Sequence, residues 1–322
     1  MTLVILCVAA FAVISYAASG AVALGLRSLR HRTDRTAPAA RARLYLVAAL
    51  LPFLSALAIL TAALAPTFGW IADHCGVLGD PHPHPHICVE HHVAVWPAIW
   101  LTTLAFAMAL RFSLAVTRLG YAVILGRLTQ HRLRDASHPG NELDIRVLPL
   151  DEPQAFVLGI FRPQLYITRG LAEGAQRRHL PAVVAHERGH VQRRDPLRRV
   201  LAGIGLAFHL PGVAGRIAAQ LTRAQEMAAD LAAAQSIGSR ESVARALIAL
   251  AKARVPPPRG AFAFSGSELE SRVVQLMDET QRRDWPTTST LLCGGLASLM
   301  LLASGAEGVH HGVELLLGAL GS

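Results

Sequence analysis

The feature that most constrains this chain is where its positive charge is missing. No Lys or Arg occurs in residues 1–26, in 44–110 or after Arg283, apart from the six arginines of 27–43 between the first two stretches. One charge at the bilayer centre costs about 2.5–3.5 kcal/mol on insertion scales, so long apolar runs that exclude these residues read as membrane spans. About 20 apolar residues cross the hydrocarbon core, and residues 2–26, 44–65, 93–110 and 287–306 qualify. Only 16% of the chain is charged, against roughly 25% in soluble domains. Residues 1–26 carry their positive charge after the apolar stretch and not before it, so they read as a retained span rather than a leader.

Orientation follows from the loops, because positively charged short loops stay in the cytoplasm. Residues 27–43 hold six Arg against Asp34, and 118–284 hold 24 basic residues. Both are expected in the cytoplasm. The loop 66–92 has no Lys or Arg, and the tail has only Glu307 and Glu314; both are expected outside. The reading is four spans in a bacterial cell (inner) membrane, with both termini external. Residues 1–117 form three spans with an external loop, 118–286 a cytoplasmic domain, and 287–322 the fourth span with a short tail. The net charge of +9 lies beside the bilayer, so the lipid surface is the expected partner and nucleic acid is not. Cys7 and Cys293 lie inside apolar runs and read as packing residues.

The chemistry centres on His186-Glu187-Arg188-Gly189-His190. On a helix His186 and His190 are one turn apart on one face, a spacing that lets two neutral imidazoles bind one Zn²⁺. Glu187 lies beside them as general base. The apolar run 180–185 argues for a buried helix rather than a solvated one, starting near His179 with Pro181 in its first turn and ending at about Arg194. Asp195-Pro196 reads as a stop and the N-cap of a new helix. A catalytic zinc needs a third protein ligand. Glu226 supplies it from a helix spanning 217–234, and Asp230, one turn on, can accept from the second nitrogen of a ligating histidine. An exposed acidic pair would give the same spacing, but the alanine-rich flanks argue against exposure.

Residues 143–148 alternate like a strand, and 155–159 and 164–168 read as two more, joined at Arg162-Pro163. A peptidase of this kind needs an edge strand to hold an extended substrate. Phe156, Val157, Leu158 and Gly159 are the candidate, with Gly159 permitting close backbone approach; a plain core hairpin is the alternative. His209 reads as a buried structural histidine, with an oxyanion role as the alternative.

Taken together, 156–163, 185–195 and 226–230 resemble the BlaR/MecR-type membrane zinc metallopeptidases in order and rough spacing. The resemblance implies an α-helical integral membrane protein with an inserted α+β zincin (gluzincin-like) domain. It implies zinc ligands His186, His190 and Glu226, with Glu187 as base. It further implies signal transduction, in which an external stimulus triggers cleavage of the protein itself or of a BlaI/MecI-like transcriptional repressor. The β-lactam sensors of this type carry a penicillin-binding domain after the fourth span. Here 307–322 remain, so β-lactam sensing by that route is not expected. HtpX-like quality-control proteases share the pentad and the downstream Glu and are the first alternative. A metal-handling membrane protein with a degenerate peptidase domain is the second.

The external loop carries His74, Cys75, His82, His84, His86, Cys88, His91 and His92. Imidazole and thiolate favour Zn, Cu and Ni, so a second metal and a sensing role are expected there. A Cys75–Cys88 disulfide, or a loop that does nothing specific, are the alternatives.

Overall fold

The computed structural model describes residues 2–64, 99–140, 144–253 and 266–278. The external loop with its histidines and cysteines, the fourth expected span and the tail lie outside the described residues, as does Cys293.

Among the described residues, three helices are long and apolar enough to cross a membrane: Cys7–Ser28, Pro38–Ala63 and Thr102–Asp135. The first belongs to α1 (Thr2–Ser28). A short α2 (Arg30–Asp34) leads to α3 (Pro38–Ala63), and the third belongs to α4 (Ile99–Asp135). Small residues bring α1, α3 and α4 together: Ala9, Ala10, Ala63 and Ala105 form one buried cluster. Small side chains allow such close approach where lipid offers no hydrophobic drive. The third apolar helix was expected over 93–110. Instead it runs without interruption through Arg118 to Asp135, so one rigid rod joins the apolar bundle to the sheet.

That sheet has four strands: β1 (His138–Pro139), β2 (Ile145–Leu148), β3 (Ala155–Leu158) and β4 (Gln164–Thr168), in the order β1-β2-β4-β3. β2 and β4 are parallel, while the other two pairings are antiparallel. After β4 come α5 (Arg169–Ala172), a single 3₁₀ turn and α6 (Leu180–Gln192). The pleat sends alternate side chains to opposite faces. Ile145, Leu165, Ile167, Ala155 and Val157 pack on Val184 and Leu180 of α6. On the other face Phe156 stacks on Tyr166, ring centroids 5.6 Å apart, and the Arg146 guanidinium donates to the Arg134 carbonyl of α4. The sheet is thus held between α4 and α6.

The chain continues as α7 (Asp195–Leu206), α8 (Pro211–Ile237), α9 (Arg240–Ala253) and α10 (Gly266–Met277). α7 and α8 form a hairpin whose tip inserts into the three-helix bundle. Phe208 at the tip packs on Phe11, Phe53 and Phe112, with centroids 5.4, 5.0 and 5.3 Å away. Gly205 lies against the Ala49 carbonyl so closely that any Cβ would collide with it.

The polar contacts at the tip have a cause in α3. Pro52 has no N–H, so the Ala48 carbonyl one turn earlier loses its helical donor. His209 Nε2 donates to that oxygen at 3.1 Å and lies 3.2 Å from the Ala49 oxygen. Its Nδ1 accepts from Ser19 Oγ at 3.1 Å. Arg111 Nη2 donates to the His209 carbonyl at 2.8 Å and Nη1 to Tyr16 Oη at 3.1 Å. His209 is therefore a structural tie between the hairpin and the bundle, and an oxyanion role has no geometric basis.

Candidate metal centre

α6 presents His186 and His190 one turn apart, and α8 crosses it to present Glu226 and Asp230. The helix bounds differ little from expectation: Pro181 stands in the first turn of α6. His186 Nε2 and His190 Nε2 are 3.3 Å apart. His186 Nε2 lies 3.6 Å from Glu226 Oε2 and His190 Nε2 lies 3.6 Å from Glu226 Oε1. Four ligands at 2.0–2.1 Å on tetrahedral corners stand about 3.3 Å from one another, so the two imidazole nitrogens and the Glu226 carboxylate fit one zinc ion. Among the described residues they form the one such cluster, with all three ligand atoms within 4.8 Å of one another.

The remaining imidazole nitrogens are each engaged. His186 Nδ1 is 2.9 Å from Asp230 Oδ1. His190 Nδ1 donates to Asp195 Oδ2 at 2.8 Å. A carboxylate on one nitrogen turns the other nitrogen's lone pair towards the metal position.

Asp195 corrects the sequence reading. It was expected as the N-cap of a new helix, but it is the first residue of α7, and Arg194 occupies the cap position with φ 53°. Only this left-handed residue lets α6 end and α7 begin with the Asp195 carboxylate turned back under His190. A non-glycine residue there is strained by roughly 1–3 kcal/mol and persists where surrounding contacts over-determine it. Arg193 Nη2, 3.0 Å from Asp195 Oδ2, is one such contact.

A second group the sequence analysis missed is Arg272, on α10. Its guanidinium donates to both oxygens of Asp230 at 2.8 Å and reaches Glu226 Oε2 at 3.5 Å. Arg199 Nη2 holds the other Glu226 oxygen at 3.0 Å. No motif spacing pointed to Arg272, because it lies 42 residues from Asp230 on a separate helix. The middle of the pentad has a different task. Arg188 makes a two-pronged pair with Asp144 at 2.8 and 3.0 Å, tying α6 to the start of β2 and holding the Asp144 carboxyl below its usual range.

The electrostatics follow from burial and pairing. Burial opposes protonating His186, but Asp230 and Glu226 outweigh it and raise its pKa to about 9 in the metal-free site. Burial likewise opposes charge on His190, and Asp195 turns the balance upward. Burial alone would raise both Glu226 and Asp230, yet their imidazole and guanidinium partners hold them below the ordinary carboxylate range. Glu187 differs: burial raises its pKa, and the neighbouring histidines only partly offset this. A carboxylate raised towards neutrality is suited to taking and returning a proton.

β3 lies at the edge of the sheet. Thr168 N–H donates to the Gln154 carbonyl, which makes 154 and 168 a hydrogen-bonded pair. Alternation along the antiparallel ladder then turns the N–H and C=O of Ala155 and Val157 to the free edge, while Phe156 and Leu158 face β4. Gly159 is not part of the strand. Its φ is +108°, and a Cβ would stand 2.6 Å from the Arg162 carbonyl oxygen. Glycine is required here by the turn into 160–163, not by an approaching substrate.

An HExxH helix crossed by a helix bearing a third ligand, each histidine backed by its own carboxylate, defines a metallopeptidase-type site. In agreement, residues 125–280 match the model of peptidase family M48, whose members are zinc metallopeptidases. The match supports a metallopeptidase. No curated protein and no solved structure is significantly similar to the chain.

Proposed function

We propose that the protein is a membrane-embedded zinc metalloendopeptidase. The observation that carries this reading is the convergence of His186, His190 and Glu226 on one zinc-sized space, with Asp230 and Asp195 behind the histidines. Zinc held there would supply Lewis acidity to a peptide carbonyl and to water. Glu187, whose carboxyl burial raises towards neutrality, would accept a proton from water and return it to the departing amide nitrogen. Arg199 and Arg272 fix the Glu226 carboxylate, and Ala155 and Val157 hold the substrate backbone as an added strand.

The site's location favours a substrate near the membrane. Arg41, close to the start of α3, donates to Met227 Sδ at 3.5 Å, which sets the residue after Glu226 level with one end of the apolar bundle. Loop charge assigns that end to the cytoplasm. The finer reading is signalling, with cleavage of the chain itself or of a cytoplasmic transcriptional repressor. It is supported by the BlaR/MecR-type motifs and by the α7–α8 hairpin, which runs from the centre into the spans.

The test is digestion of unfolded casein by the purified full-length protein, before and after chelation. The reading expects cleavage, loss on chelation and recovery on adding zinc; cleavage that survives full chelation contradicts it. Co-expression with a repressor encoded nearby tests the finer reading, which expects a defined repressor fragment.

A further inference from the structure

A cavity of about 660 Å³ opens beside the C-terminal end of β3. Its floor is the last part of α4, one wall is the Val157–Arg162 turn, and Pro196 of α7 stands opposite. Pro196 follows Asp195, whose carboxylate holds His190. The cavity therefore lies between the free strand edge and the helix that starts at the metal centre. Val157 and Leu158, the last residues of β3, line the cavity, so it stands within reach of a strand added along Ala155 and Val157.

The lining has a distinct chemistry. Arg127, Arg134 and Arg162 bring positive groups, His131 adds an imidazole, and no carboxylate lines the cavity among the described residues. Val123, Leu158 and Phe161 make much of the rest apolar; Phe161 is 72% exposed. The shape is preformed. Gly159 holds its positive φ, and Gln130 Nε2 donates to the Arg162 carbonyl at 3.2 Å, clasping the turn to α4.

We infer that this cavity is a specificity subsite, which receives an acidic side chain flanked by apolar residues of the substrate polypeptide. The inference deepens the peptidase reading and rests on it. Single exposed ion pairs are weak and are screened by salt. Selectivity therefore comes from several cations facing one carboxylate on a low-dielectric wall, and it fades as ionic strength rises.

Binding separates this inference from turnover. Zinc-loaded full-length Glu187→Gln protein is titrated at low salt with a short extended apolar peptide carrying Asp, and with the same peptide carrying Lys. The Asp peptide is expected to bind about tenfold more tightly. The double reversal Arg127→Glu with Arg162→Glu should invert the order while zinc content stays constant. Should that variant lose its zinc, the single change Arg162→Glu, in the exposed turn, is expected to narrow the preference by itself. Equal binding of the two peptides, or a preference untouched by reversal, overturns the inference. So does a reversal that leaves the peptides alone and abolishes binding to anionic phosphatidylglycerol vesicles, which makes the patch a lipid-headgroup site. The peptidase reading is judged separately, by wild-type cleavage of the Asp peptide. No cleavage there sinks that reading, whereas cleavage of both peptides at equal rates sinks only the subsite.

Discussion

Asp195 and Arg272 matter as much at the metal centre as the residues of the motif. Carboxylates behind ligating histidines are commonly worth 10–100-fold in metal affinity. Asp195→Ala is therefore expected to speed zinc transfer to a chelator by about that factor, and an unchanged rate would remove Asp195 from the site. Arg272→Ala leaves Asp230 and Glu226 short of a buried partner, a change that costs about 3–5 kcal/mol when nothing replaces it. Arg199 remains on Glu226 and bound zinc would be a further partner, so the fall in Tm should be larger in chelated protein than in zinc-loaded protein. Equal falls would mean that Arg272 acts only as packing. The raised pKa of His186 gives a pH dependence whose sign is fixed. Its contribution to metal-free stability is complete below its ordinary value of 6.5 and is lost as pH rises through about 9. Zinc must displace the same proton, so zinc affinity rises over that interval. The Tm of chelated protein should fall between pH 6.5 and 9, and a flat profile would mean that His186 carries no such proton.

At the scale of elements, the α7–α8 hairpin is what joins the centre to the bundle. α7 is 12 residues long, so at about 1.5 Å per residue its tip lies roughly 20 Å from Asp195. Phe208→Ala removes an aromatic ring from a four-ring cluster and should cost about 3–5 kcal/mol, read as a lower midpoint in detergent unfolding. A cost near zero would mean that the tip does not pack in the bundle. Much of this level was legible in the sequence. Apolar runs without Lys or Arg marked the first two long helices and only the early part of the third, whose continuation carries Arg118, Arg127, Arg132 and Arg134. The alternation of 145–148 and 164–168 marked strands, and one-turn spacings marked both the His pair and the Glu226/Asp230 pair. The insertion of the hairpin was not legible, because Asp195-Pro196 signals only the start of a new helix and says nothing of what its far end packs against. Its clue was indirect: Pro52 in the middle of an apolar run leaves a carbonyl that must find a donor elsewhere, and nothing in the sequence says that His209 provides it. Asp195 was seen as a residue but given the wrong task, since a left-handed Arg194 carries no sequence signal. Arg272 escaped because its partners come from another helix.

In the proposed topology the peptidase centre stands at the cytoplasmic end of the apolar helical bundle. Reporters fused after Pro139 and after Asp80 should read as cytoplasmic and external, respectively. Reporters on one side would put the centre in the wrong compartment, whatever its chemistry. The central claim, that zinc held by His186, His190 and Glu226 works with Glu187 to cut peptide bonds, is tested most directly by comparing wild type with Glu187→Gln, measuring zinc content and casein cleavage on the same samples. The account predicts one zinc per chain in both proteins and cleavage by the wild type alone. Equal cleavage by the two proteins, or a wild type that purifies without zinc yet still cleaves, would contradict it.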